Sequence, residues 1–404
     1  MLAVIENVNA AVNNFVWGIP AIVCIIGVGL YLSIRTGFIQ IRKFPLAMKQ
    51  TIGKVFEKKE AKHGAMTPFQ AVCTALSATV GTGNIAGVAG AIAIGGPGAV
   101  FWMWVSAFLG MCTKFSEVAL AVHFREKNEQ GDYVGGPMYY IKNGLGKKWH
   151  WLAVLFSVFG IFTVFGTGNA TQVNTIATAV NSALLNYNLI SAENITISNW
   201  IIGIVIMILV VCVLLGGIKR IGKVTEKLVP FMAIFYILLA VGVVILNIKN
   251  VPGVFADIIY GAFNPAAVTG GVVGSFFTSM TKGVSRGIFS NEAGLGSSVM
   301  VHSSSNVKEP VVQGMWGIFE VFFDTLVVCT LTAFVILSSP AQAKTFDEAM
   351  QSISTEAQYF QLSSETKDGV VKLIDDNYTV VYKVADEKAA EGTYTEYAAK
   401  TAYG

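Results

Sequence analysis

Val80-Gly81-Thr82-Gly83-Asn84 lies near the middle of an apolar stretch running from about Phe69 to Ile94. An apolar run of about 20 residues spans a bilayer as a helix. Two glycines and an asparagine at its centre make a poor helix, since Gly costs roughly 1 kcal/mol against Ala. In lipid each freed backbone N–H or C=O costs several kcal/mol unless something satisfies it. Two readings fit. The break faces a ligand, an ion or water, or its small residues let a second helix approach closely. In the first reading, N–H groups at the restart of the helix suit a carboxylate, and unwound carbonyls suit a cation.

A second segment, Phe276 to Ser298, combines ionisable residues with glycines: Lys282, Arg286 and Glu292, and Gly283, Gly287, Gly294 and Gly296. Ionisable residues inside a span are costly and point to function. Paired Gly-interrupted spans in the two halves of a membrane protein mark a transporter's binding site. The interruption is expected at Thr278–Gly283, while Glu292 and Gly294–Gly296 suit a membrane exit as well as a site. An amino acid moving with sodium would use both the amides and the carbonyls. In the fourth apolar segment Asn169 and Gln172 stand three apart on one helix face. Gln172 needs a neighbouring helix or a substrate as partner. Lys114 and Glu117 read as an ion pair reaching toward the membrane surface. Glu320 and Asp324, four apart, read as compensation for Lys282 or Arg286, or as part of a cation or proton pathway.

These residues need a membrane scaffold. The 404 residues are 53% hydrophobic and only 13% charged, with a mean hydropathy of +0.59. Soluble domains carry about 25% charged residues, so the chain is an all-α polytopic membrane protein. Eight segments are predicted, at about 15–34, 67–94, 98–123, 151–184, 199–217, 228–247, 268–300 and 311–338. Acidic Glu6 before the first argues against a signal peptide. Basic loops at 35–62, 125–148 and 219–227, with no Lys or Arg at 186–198, put the N-terminus outside. The first basic loop reads as an amphipathic helix on anionic lipid. Residues 339–404 carry 11 acidic residues against 6 lysines. They read as an outside loop or tail, with alternation over Val370–Val384 suggesting a short hairpin. Cys24, Cys73, Cys112, Cys212 and Cys329 lie in apolar segments as small buried residues, and no transition-metal spacing is present. Nothing suggests nucleic acid as a partner, covalent catalysis or an organic cofactor.

Gly95-Gly96-Pro97-Gly98-Ala99-Val100-Phe101-Trp102-Met103-Trp104-Val105 resembles the signature of the alanine or glycine:cation symporters, the sodium:alanine symporter family. Phe289–Ser297, Gly168–Gln172 and Phe319–Thr325 are similar to further segments of that family. The resemblance covers about residues 10–340. It implies sodium-driven uptake of alanine or glycine, with protons as an alternative coupling ion, in the plasma (inner) membrane of a prokaryote. It also implies the leucine-transporter fold: two inverted repeats of five helices, here with one extra N-terminal helix. The first repeat would be 67–247 and the second 268–338, within a transporter domain 1–338. On that template the amides of Thr82 and Gly83 hold the substrate carboxylate. Thr79 and Asn84 lie near both substrate and one cation, and the carbonyls of Ser77 and Val80 serve a second cation. Gln172, Phe277, Met280 and Gly283 complete a small pocket.

The resemblance also implies three more spans than the eight counted, so the second repeat is incomplete and a C-terminal truncation is expected. Two alternatives follow: an amino-acid-binding membrane sensor that does not transport, and an inactive fragment.

Overall fold

In the computed structural model the chain is described over residues 15–54, 65–263 and 276–339. Val8, Asn9, Val12 and strand residues 361–362, 370–375 and 378–383 are described as well. The first apolar helix, α1 (Ile19–Arg35), starts with a proline in its first turn. That position is favoured because the missing N–H would have no helical partner there. Two short helices follow, α2 (Ile39–Arg42) and α3 (Phe44–Gln50). The apolar side of α3 packs on the bundle: Ala47 is fully buried, and the Phe44 ring meets Phe322 at 4.9 Å. Residues 55–64 of the same loop lie outside the described residues.

The second span is broken. Its first half, α4 (Pro68–Thr79), opens with a capping box. Gln70 N donates to Thr67 Oγ1 at 3.1 Å, and Thr67 N donates to Gln70 Oε1 at 3.0 Å, satisfying two free donors of the first turn. Val80 leaves the helix at φ −80°, ψ 89°. The chain restarts as a wide π-turn over Gly83–Gly87 and continues as α5 (Val88–Gly95). The two halves are bent by 53°.

The central helix, α6 (Gly98–His123), runs against both later broken spans and α12 (Val251–Phe263). Small residues set those contacts. A Cβ on Gly98 would lie 2.2 Å from the Gly261 carbonyl, and one on Gly283 would lie 2.2 Å from the Ala99 carbonyl. After α6 come a two-stranded hairpin, β1 (Glu126–Lys127) with β2 (Tyr133–Val134), and α7 (Pro137–Gly144). The fourth span comprises α8 (His150–Phe165), a π-turn at Gly166–Ala170 and α9 (Thr171–Asn186). Then follow α10 (Ile195–Leu214) and α11 (Gly217–Leu246). Phe159, Phe162, Ile201 and Leu209 on α8 and α10 are exposed, as lipid-facing side chains are.

The seventh span is described from α13 (Phe276–Asn291); residues 268–275 of its predicted range lie outside the described residues. It stops at Glu292 and resumes as α14 (Ser297–Ser303). The eighth has α15 (Pro310–Val321), a π-stretch over Phe322–Cys329 and α16 (Thr330–Ser338). Among the described residues, five helices are long and apolar enough to cross a membrane, or six with the bent pair taken as one span. The eight predicted segments all correspond to helices. The first and seventh fall short of spanning length because α1 has 17 residues and the seventh is split. Helix α12 had no predicted counterpart. Strands β4 (Val370–Asp375) and β5 (Tyr378–Lys383) pair antiparallel, the short hairpin expected there, and β3 (Gln361–Leu362) adds a third strand.

Cys73, Cys112 and Cys329 are buried as expected, whereas Cys24 and Cys212 are exposed on the outer faces of α1 and α10.

Candidate functional site

The break leaves backbone groups open. The Val80 N–H still reaches the Leu76 carbonyl at 2.8 Å, and the Gly81 N–H donates to Asn84 Oδ1 at 2.9 Å. No hydrogen bond among the described residues uses the Thr82 or Gly83 amide. Both sit where the helix restarts, at its positive end. Thr79 closes the other half, 3% exposed, with its hydroxyl unpartnered. An amide pair and an unpaired hydroxyl here suit a small carboxylate.

Asn84 ties the break to the rest of the bundle. Its Nδ2 donates to Asp324 Oδ1 at 2.8 Å and lies 3.1 Å from Ser290 Oγ. Asp324 Oδ2 accepts from Ser290 Oγ at 2.7 Å and Thr325 Oγ1 at 2.8 Å. Asn291 Nδ2 donates to Thr325 Oγ1 at 3.2 Å. Asn84, Ser290 and Asp324 are each at most 1% exposed. Three neutral donors surround this carboxylate, and no basic side chain among the described residues pairs with it. A buried charge without a counter-ion is costly. An oxygen-rich pocket with one uncompensated carboxylate has the donor chemistry of a hard cation site.

Three wide turns meet around this cluster or border it. Gly83–Gly87 carries Asn84, Phe322–Cys329 carries Asp324 and Thr325, and Gly166–Ala170 precedes Gln172. A Cβ on Gly81 would lie 3.3 Å from Gln172 Oε1, so the fourth span brings that amide to the break. A Cβ on Gly83 would lie 3.5 Å from the Ser290 backbone and 3.7 Å from the Phe289 ring. π-turns widen the backbone and recur at functional sites.

The expected residues therefore divide. Thr79, Val80, Thr82, Gly83, Asn84 and Gln172 gather at the break. Ser77 is on the exposed side of α4, its hydroxyl donating to the Thr74 carbonyl at 2.7 Å. Phe277 is 66% exposed, with its ring against Phe276 at 5.5 Å. Met280 is half-buried, and Gly283 sits in the α6–α13 contact. Thr278–Gly283 is continuous helix; the interruption falls at Glu292–Gly296. There Glu292, Gly294 and Gly296 have φ of 54°, 90° and 79°. Glycine at two of those three positions meets the left-handed requirement.

The charged residues also pair differently from expectation. Lys114 is wholly buried: its Nζ lies 3.1 Å from the Glu292 carbonyl, 2.7 Å from Ser298 Oγ and 3.7 Å from Glu320 Oε1. Glu117 accepts instead from the Gly294 N–H at 3.0 Å. Glu320 meets His302 Nε2 at 2.8 Å. Lys282 and Arg286 form no ion pair with Glu320 or Asp324. Helix packing separates i, i+4 neighbours into two networks, so spacing alone named the wrong partners. Ser290, Thr325 and His302 were missed; the polar Ser290-Asn291 pair inside an apolar-flanked segment was the available signal.

At the bundle end carrying the basic loops, Arg125 donates to the Ser303, Ser305 and Val307 carbonyls at 2.9, 2.5 and 2.7 Å. Its guanidinium lies 3.9 Å over the Tyr133 ring. Burial lowers the Arg125 pKa, and Tyr133 opposes that shift. Met66 N donates to the Ser304 carbonyl at 2.9 Å, and Asn306 N to the Met66 carbonyl at 2.8 Å. The start of the second span is thereby bound to the end of the seventh.

A helical membrane protein with a spanning helix broken at a buried polar cluster has the construction of a secondary transporter. The chain belongs to the sodium:alanine symporter family, whose model matches residues 2–372. It is 44% identical to an uncharacterised transporter of Haemophilus influenzae over 83% of this chain and 71% of that protein. It is 44% identical to the sodium/alanine symporter AgcS of Methanococcus maripaludis, over 80% of this chain and 69% of AgcS. A putative sodium/proton-dependent alanine carrier, YrbD of Bacillus subtilis, is 40% identical over 81% of this chain and 63% of its own length. The family and these relatives make the chain a multi-pass membrane protein of the sodium/amino-acid symport class, not an enzyme.

Proposed function

We propose that this chain binds alanine or glycine together with sodium at the broken second span and carries them by symport through alternating access. The observation that carries this reading is the break itself: two amides without partners at Thr82 and Gly83, beside a buried carboxylate, Asp324, that lacks a counter-cation. The amides and the Thr79 hydroxyl take the substrate carboxylate. Gln172, Phe289 and Ser290 form the pocket wall, in place of Phe277 and Met280, which lie elsewhere on α13. Sodium is the coupling ion, with the Asp324 carboxylate as its charged ligand. Ser77 and Val80 carbonyls serve a second cation. The repeats are leucine-transporter-like, 67–247 and 268–338 within a domain 1–338, with the N-terminus and 339–404 outside.

The test is binding of labelled alanine to the purified chain in sodium chloride and in choline chloride, followed by uptake into proteoliposomes. Saturable, sodium-dependent binding is the expected result. Equal binding in choline chloride overturns the coupling assignment. Binding without uptake favours a sensor.

A further inference from the structure

Outside the break, a buried polar cluster joins three elements: Lys114 on α6, His302 on α14 and Glu320 and Gln313 on α15. All four side chains are fully buried. His302 Nε2 contacts Glu320 Oε2 at 2.8 Å, and its Nδ1 contacts Gln313 Nε2 at 2.8 Å. In this orientation the amide donates to Nδ1, so Nε2 carries the proton and the ring is neutral. Gln313 Oε1 is then buried without a hydrogen-bond partner. The amide oxygen and nitrogen are interchangeable in shape, so either can face the ring. Turned over, the amide presents Oε1 to Nδ1. The ring then carries both protons, held between a carboxylate and a carbonyl oxygen. Neither state requires the backbone to move.

The charged and titratable groups on the elements packed against α14 are Lys114, Glu117 and His123 from α6, Cys73 from α4 and Tyr133 from β2. Glu320 reaches it from α15, Glu292 precedes it, and Arg125 lies at its carbonyl end. The network also bears on the seventh span. Lys114 bridges the break, touching the Glu292 carbonyl on one side and Ser298 Oγ on the other. Glu320 touches both Lys114 and His302.

We propose that His302 is a proton-binding site, and that its proton sets how tightly Glu320 holds Lys114 across the break of the seventh span. With the imidazolium present, Glu320 is shared between two cations and its hold on Lys114 weakens. In a working symporter this is a route by which proton concentration acts on hinge movement, a consequence that rests on the transport reading; the proton site does not.

The experiment is ¹⁵N NMR of imidazole-labelled full chain in nanodiscs. The control is a His63→Gln/His123→Gln/His150→Gln variant, which leaves His302 as the sole histidine. At alkaline pH His302 is expected as the Nε2–H tautomer. On acidification both nitrogens become protonated while helical circular dichroism is retained. Glu320→Gln is expected to move that transition about one to three pH units lower, since an opposite charge in contact raises a histidine's proton affinity. A ring that stays neutral until the helices melt overturns the proposal. So does one that is doubly protonated throughout, a permanent structural ion. Where the triple variant does not fold, His302→Gln in the labelled wild-type background identifies the signal by its loss. These signals are read without alanine or sodium flux, so their failure is distinct from failure of alanine binding.

Discussion

Asp324→Asn separates charge from shape at the break. The carboxylate is held by Asn84, Ser290 and Thr325 at 2.7–2.8 Å. An amide of the same outline keeps all three contacts: its oxygen accepts from Asn84, and its nitrogen donates to the two hydroxyls, whose oxygens accept. What is lost is the negative charge. A sodium ion about 4 Å from a unit charge at an effective dielectric near 20 gains about 4 kcal/mol. At about 1.4 kcal/mol per tenfold, the variant loses sodium affinity by about a thousandfold. Sodium at a hundred times its dissociation constant stabilises the folded chain by about 2.7 kcal/mol, and after that loss almost none of this remains. The assay is thermal unfolding of purified wild type and variant in sodium chloride and in choline chloride at equal ionic strength. Wild type melts higher in sodium. The variant melts alike in both salts, and in choline no lower than wild type, because a buried uncompensated charge is gone. A variant that keeps the full sodium-dependent rise refutes the assignment of the cation to Asp324.

Further outcomes follow from the same geometry. Gly83→Val places branched methyls against Phe289 and the Ser290 backbone. It should abolish measurable alanine binding in equilibrium dialysis; unchanged affinity removes Gly83 from the pocket. Gly98→Ala forces α6 from the Gly261 carbonyl and should lower stability by about 1–3 kcal/mol. Gly90→Ala, with nothing within 4 Å, should be neutral or raise stability by up to about 1 kcal/mol, as read from paired melting curves. Lys114→Met strands Glu320 without its cation and should cost about 3–5 kcal/mol. Adding Glu320→Met should recover much of that loss, and a double-mutant cycle showing simple additivity would contradict the pairing. The His302 titration described above completes the set.

The membrane spans were legible because apolar length is a local property. The third, Gly98–His123, agrees with its predicted limits. The break at Val80–Asn84 was legible for the same reason, since two glycines beside an asparagine interrupt any helix whatever surrounds them. The second break was misplaced. Gly283 looked like a helix breaker, yet α6 lies against it closely enough to need glycine there. Gly294 and Gly296, read as equally consistent with a membrane exit, are where the chain turns. A glycine's sequence neighbours do not reveal whether it serves a turn or a close contact.

Composition and local pattern alone determined a polytopic helical membrane protein, the position of its first break and the chemistry available there: amides and carbonyls. Tertiary structure decided the partners. Asp324 lies 240 positions from Asn84 yet accepts a hydrogen bond from it, and it pairs with neither Lys282 nor Arg286. Glu320, one helical turn away, belongs to Lys114 and His302. Spacing along one helix says which side chains share a face. Which helix meets that face depends on how small residues such as Gly98, Gly283 and Gly287 let the spans approach, and that is a property of the packed bundle.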